Sequence, residues 1–172
     1  MSDDSIIDLG EYLRRRDEGQ GREPASTFAL WGADGERSRF ALPLWRSIYL
    51  AGADRGGIVW RDTGGPTLRP LVVLDLATDP PRTDFRPPAL NGLDEERAPE
   101  LVEGVRGSHV SIYLGERDGR SWYLLIDGGE GRDGPLPPRD REDILFLAGE
   151  CAGLLFLRDF ANEADAEAES DE

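Results

Sequence analysis

Residues 144–157 read ILFLAGECAGLLFL, fourteen positions with a single charge in a chain that is otherwise polar and acidic. As a helix they would span about 21 Å, at about 1.5 Å per residue, whereas a bilayer core asks for about 20 apolar residues. Glu150 interrupts the run and Arg158-Asp159 close it, so it does not read as a membrane span. What it does demand is cover. A helix apolar nearly all round must be buried nearly all round, and one sheet covers only one side. The other side falls to an N-terminal helix, to a Pro-rich connection or to a partner chain. Gly149 and Gly153 lie four apart, as do Ala148 and Ala152, and small residues at that spacing permit close helix contact. Gly149 and Gly153 are therefore candidate interface positions.

The length of 172 residues fits one domain with one core. Residues 1–25 form an N-terminal unit. Ile6, Leu9 and Leu13 make an apolar stripe over residues 4–17, with Arg14, Arg15 and Arg16 near the C-terminal end, where cations suit the helix dipole. That helix either docks on a partner through Ile6, Leu9 and Leu13 or folds back on its own domain. Residues 26–161 are read as a single α+β domain. In it, the Phe-Ala-Leu echo at Phe28 and Phe40 flanks Asp34-Gly35 and reads as a hairpin, with Leu30 facing Phe40 and Trp31 facing Arg39 as a cation–π pair. Residues 43–52 suit a short helix better than a strand. Leu44 with Ile48 and Trp45 with Tyr49 are four apart, Pro43 fits a first helical position and Gly52 a terminating one. Residues 57–61 and 68–77 read as strands.

Residues 78–107 form a long connection. Five of the twelve prolines fall in residues 79–99, which suits a stiff crossing loop, and residues 93–105 carry one or two helical turns. Residues 109–114 and 121–127 make a second hairpin with two competing registers. A two-residue Asp118-Gly119 turn sets Arg117 opposite Arg120. A three-residue loop sets Glu116 opposite Arg120 and stacks Val110, Ile112 and Leu114 on Ile126, Leu124 and Trp122. The second is preferred, because one face becomes wholly apolar. Asp140 then N-caps a helix running to about Phe160. Residues 162–172 hold six acids and no base and read as a disordered acidic tail. The expected fold is an antiparallel sheet of about five or six strands packed by the C-terminal apolar helix, with a peripheral N-terminal helix. The element order is similar to that of small acidic secretion-chaperone folds and of longin or profilin-like modules, and fold of itself does not give function.

The net charge is −15, and all twenty basic residues are Arg. Such a balance repels phosphate polymers and anionic lipid, which disfavours a nucleic-acid binder. One Cys excludes an internal disulfide and one His excludes a His-rich metal site. No apolar leader follows Met1, so a cytoplasmic setting is expected. Three constellations suggest chemistry. The preferred hairpin register places His109 opposite Asp127, with Ser111 on the same face, and Asp could orient an imidazole that deprotonates Ser. A flat strand does not present a nucleophile as a strained elbow does, and a polar cross-strand cluster explains the same residues. Asp75 and Asp127 end apolar strands and are the weak candidates for a metal, although strand-end acids more often cap turns or pair with Arg. Residues 128–134, GGEGRDG, lack the Lys-Ser/Thr ending of a phosphate loop. Cys151, in the apolar helix, reads as a small hydrophobe. No cofactor is expected. The leading expectation is a non-enzymatic cytoplasmic interaction protein, an adaptor or small chaperone-like factor, working as a homodimer or in a complex. Its rivals are a small hydrolase using His109, Ser111 and Asp127, and an acidic mimic of nucleic acid.

Overall fold

The computed structural model describes residues 29–32, 35–85, 101–103, 110–127 and 135–170, with side chains for all of these except 29, 36, 101–103 and 158–170. The expected N-terminal helix with Ile6, Leu9 and Leu13, the residue His109 and the loop 128–134 lie outside the described residues. In chain order the elements are β1 (Ala29–Trp31), a 3-10 turn (Gly35–Phe40), α1 (Ala41–Ala51), β2 (Arg55–Asp62), β3 (Arg69–Asp75), β4 (Leu101–Glu103), β5 (Val110–Arg117), β6 (Arg120–Asp127) and α2 (Pro138–Ser170). The strands form one six-stranded antiparallel sheet in the order β1-β3-β2-β6-β5-β4. The chain is α+β, as its pattern predicts.

The expected hairpin over residues 28–42 does not form. Its second half is helical, and β1 pairs with β3 instead, placing Trp31 opposite Val73 and not Arg39. The physical reason is periodicity. Phe40, Leu44, Ile48 and Ala51 recur at three- and four-residue intervals, and all four are buried on one side of the helix. Gly52 then takes the left-handed conformation (φ 64°). Its N–H donates to the Tyr49 carbonyl at 3.0 Å and the Ala53 N–H to the Ile48 carbonyl at 3.0 Å, a Schellman-type ending.

In the second hairpin both registers contribute. Val110↔Ile126 and Ile112↔Leu124 pair as the preferred register requires. A bulge between Tyr113 and Gly115 then shifts the ladder by one. The turn is the two-residue Asp118-Gly119 (φ 53° and 69°), and Arg117, not Glu116, faces Arg120. Positive φ at both turn residues matches the twist of the strands, so the tight turn is kept and the bulge restores the apolar face. Residues 101–103 are a strand paired with β5, not a helical turn. The C-terminal helix begins at Pro138, ahead of Asp140, as suits a residue without an N–H, and it extends to Ser170, past the expected end near Phe160. Ala and Glu alternate there, and both are good helix formers.

Helices α1 and α2 lie side by side on one sheet face, α1 packed over β2, β3 and β6, and α2 against α1 and β5. The core between them contains Leu44, Ile48, Ile58, Val72, Ile112, Leu124, Ile126, Ile144, Ala148 and Cys151. The opposite face holds a second buried cluster, Val59, Tyr113, Tyr123 and Leu125, with Leu68 and Phe85 against it. Adjacent glycines let both layers approach β2. A Cβ on Gly56 would lie 2.8 Å from Ile48 Cγ1 of α1, and one on Gly57 would lie 2.9 Å from the Phe85 ring on the other side. Among the described residues no helix is long and apolar enough to cross a membrane.

Candidate functional site

Three sites emerge, and the sequence reading named parts of two. The first is a row of charges at one end of the second sheet face. The register sets Asp75 opposite Arg55 and Arg55 opposite Asp127 across three neighbouring strands. All three residues are buried. The Arg55 guanidinium donates through Nε to Asp127 Oδ2 at 3.2 Å, and its NH2 group also bonds that oxygen. It reaches the Asp84 carboxylate at 3.0 Å and the Asp84 carbonyl at 2.8 Å, and it lies 5.4 Å from the centroid of the Phe85 ring. Arg55 thus ties residues 84–85 to the sheet. Asp75 organises the loop that follows it. Its two oxygens accept the Ala77 N–H (2.8 Å), the Thr78 N–H (3.0 Å), the Thr78 hydroxyl (2.7 Å) and the Arg82 N–H (3.0 Å). Asp84, hydrogen-bonded first by Arg82 and then by Arg55, has its carboxyl held well below the usual carboxylate range.

This arrangement assigns structural work to both strand-end acids. Asp127 is bonded to Arg55, and Asp75 is saturated by its own loop. Among the described residues no group of three His, Cys, Asp or Glu side chains could hold a metal ion. Ser111 lies on the same sheet face as Asp127, opposite Leu125, at 1% exposure, and its hydroxyl has no hydrogen-bond partner among the described residues. Ser111 and Asp127 therefore share a face, and the Asp127 carboxylate is directed to Arg55 on the far neighbouring strand. Cys151 is buried in the core, and loss of solvation, helped by the charge of Glu150, pushes its thiol up to about 12.

The second site is the outer face of α2. Ile144, Leu147, Ala148 and Cys151 are buried, a stripe at helical spacing. Leu145, Ala152, Leu154 and Leu155 pack partly against the same core, and the remaining side of the helix faces out. Phe146 is 70% exposed and Leu157 is 69% exposed. Among the described residues a Cβ on Gly149 would meet nothing within 4 Å, and one on Gly153 would meet only Leu157 of the same helix, at 3.9 Å. Neither glycine is there to admit the protein's own sheet. Gly115 is different: its φ is 143°, and a Cβ would lie 2.9 Å from the Phe156 ring.

The third site was missed in the sequence. At the hairpin end of the helix-bearing face, Trp60 lies opposite Trp122, ring centroids 6.2 Å apart. The Arg120 and Arg69 guanidiniums stand 4.3 Å and 5.0 Å from the centre of the Trp60 ring. The available signal was Trp122 two residues from Arg120. Placing Arg69 beside Trp60 required the β2–β3 register, and that register has a bulge between Ile58 and Val59. Comparison with protein-family models, with curated proteins and with solved structures returned no match to this chain.

Proposed function

We propose that this chain is a non-enzymatic protein–protein interaction module, an adaptor or small chaperone-like factor, that self-associates through the outer face of α2. One observation carries the reading. Phe146 and Leu157 stand about two-thirds exposed on a helix whose opposite stripe builds the core, with the open glycines Gly149 and Gly153 between them. Burying one such side chain is worth about 1.5–3 kcal/mol, and small residues between two large ones let a second helix approach closely. Self-contact is the commonest assembly of soluble chains. The remaining chemistry supports this reading over catalysis. Asp75, Asp127 and Arg55 are engaged with one another's loops and strands, and the Cys151 thiol is sequestered. A cytoplasmic setting belongs to the same reading, since a lone buried thiol draws nothing from an oxidising compartment.

Light scattering across a concentration series tests it. Wild type is expected to gain mass with concentration. A Phe146→Glu/Leu157→Glu double variant is expected to stay at the monomer mass with unchanged thermal stability. A wild type that remains monomeric throughout overturns the reading.

A further inference from the structure

We infer that the second copy covers the outer face of α2 with its N-terminal segment, residues 4–17. The inference rests on the self-association proposed above and names the part of the partner that makes the contact.

The outer face carries charge as well as apolar surface. Asp143, Phe146, Glu150, Gly153 and Leu157 follow one another at spacings of three and four, so they form one stripe along α2, with Glu142 beside it. The three acids are exposed, and among the described residues none of them is in an ion pair. The exposed base in line with them is Arg139, in the first turn. One α2 meeting another through this stripe sets the same patch against itself in either direction. A face with three acids and one base among its described residues then meets a face of the same sign, and like charges so placed oppose the contact. The occupant that fits is an apolar stripe edged by bases.

The sequence holds such a segment. Residues 4–17 precede β1 and lie outside the described residues, and the spacing of Ile6, Leu9 and Leu13 predicts a helix there. At about 100° per residue those three share one narrow stripe. Arg16 borders the stripe on one side, and Arg14 lies beyond its other border. Asp4, Asp8 and Glu11 fall on the opposite side, and Asp17 borders the stripe at the last position. The open space at Gly149 and Gly153, between Phe146 and Leu157, suits branched side chains such as Ile6, Leu9 and Leu13. Arg14 and Arg16 supply the charge that Asp143 and Glu150 lack, on stems long enough to lie along apolar surface. Within one chain the segment would start from β1, which β3, β2 and β6 separate from β5, and would have to pass over α1 to reach α2. A second copy meets no such detour.

The test has two arms, both on the full chain. The variant Ile6→Ser/Leu9→Ser/Leu13→Ser leaves α2 untouched. In light scattering its self-association is expected to be weaker than that of wild type by about a hundredfold or more, the scale of two or three apolar side chains left unburied. Thermal melts of dilute protein control for folding. In the second arm a fluorescein-labelled peptide of residues 1–25 is titrated into this variant and followed by anisotropy. Saturable binding is expected. It should be lost when Phe146→Glu/Leu157→Glu is added to the variant, and it should weaken several-fold at low salt when the peptide carries Arg14→Gln/Arg16→Gln. A peptide that does not bind, or that binds equally well after Phe146→Glu/Leu157→Glu, overturns the inference. If the wild type self-associates and the triple Ser variant does so equally well, this inference fails and the α2 reading stands. A triple Ser variant that associates more tightly than wild type would show the segment shielding its own chain, which also overturns the inference. If the wild type is monomeric throughout, both fall.

Discussion

Replacing Gly149 with Ala adds one methyl group to a face of α2 on which no described residue stands within 4 Å of the new Cβ. No atom has to move, so the helix gains the difference in propensity between Gly and Ala, about 1 kcal/mol. At this chain length that corresponds to a rise in Tm of about 2–4 °C. The contrast is Gly56→Ala. There the new Cβ would lie 2.8 Å from Ile48 Cγ1 and 3.3 Å from the Leu125 carbonyl oxygen. Overpacking of that kind costs about 1–3 kcal/mol. Calorimetry and urea unfolding, both on dilute protein, measure the two variants without a contribution from association. The expected result is opposite signs. A destabilised Gly149→Ala would mean that this face is covered within the monomer, and the argument that it is left for a partner would be refuted.

Three further outcomes follow from the buried charges and the thiol. Arg55→Met leaves the Asp127 carboxylate buried without its cation and is expected to cost about 3–5 kcal/mol in urea unfolding, whereas Arg55→Met/Asp127→Leu should recover much of it. Asp84 has a depressed folded pKa, so its contribution is present at neutral pH and is withdrawn only as pH falls below the ordinary carboxylate range. Asp84→Asn should therefore be less stable than wild type at neutral pH, with the gap closing in strong acid, as followed by urea midpoints across a pH series. The Cys151 thiol, pushed up to about 12, should resist thiol reagents in the native chain at mildly alkaline pH and react promptly once denaturant is added.

Elements whose signal is local were legible. Leu44 with Ile48 and Gly52 specified α1, and alternating apolar residues specified β5 and β6 together with their upper register. The failures share a cause. Phe40 carries both a two-residue and a four-residue pattern, and only the helix lets it bury beside Leu44 and Ile48. The bulge at Gly115 allows a tight turn and an apolar face to coexist, and either feature read alone forces a choice between them. The acids Asp75 and Asp127 were visible as strand ends, but Arg55 was not visible as their neighbour. That contact joins positions 72 apart in sequence and depends on β2 lying between β3 and β6. The Arg–Trp surface was hidden for the same reason. For α2, composition predicted an excess of apolar perimeter, and the structure locates it: α1 and the sheet cover one stripe, and Phe146, Gly149 and Leu157 remain outside.

The central claim, that this outer face closes against another copy, is tested most directly by a reporter placed on it. In a Gly149→Cys variant the native Cys151 stays silent in the core, so thiol labelling reads position 149 alone. The labelling rate is predicted to be high in dilute protein, to fall as concentration rises, and to recover at high concentration when Phe146→Glu is added. A rate that is the same at every concentration would show that the face stays open, and would contradict the account.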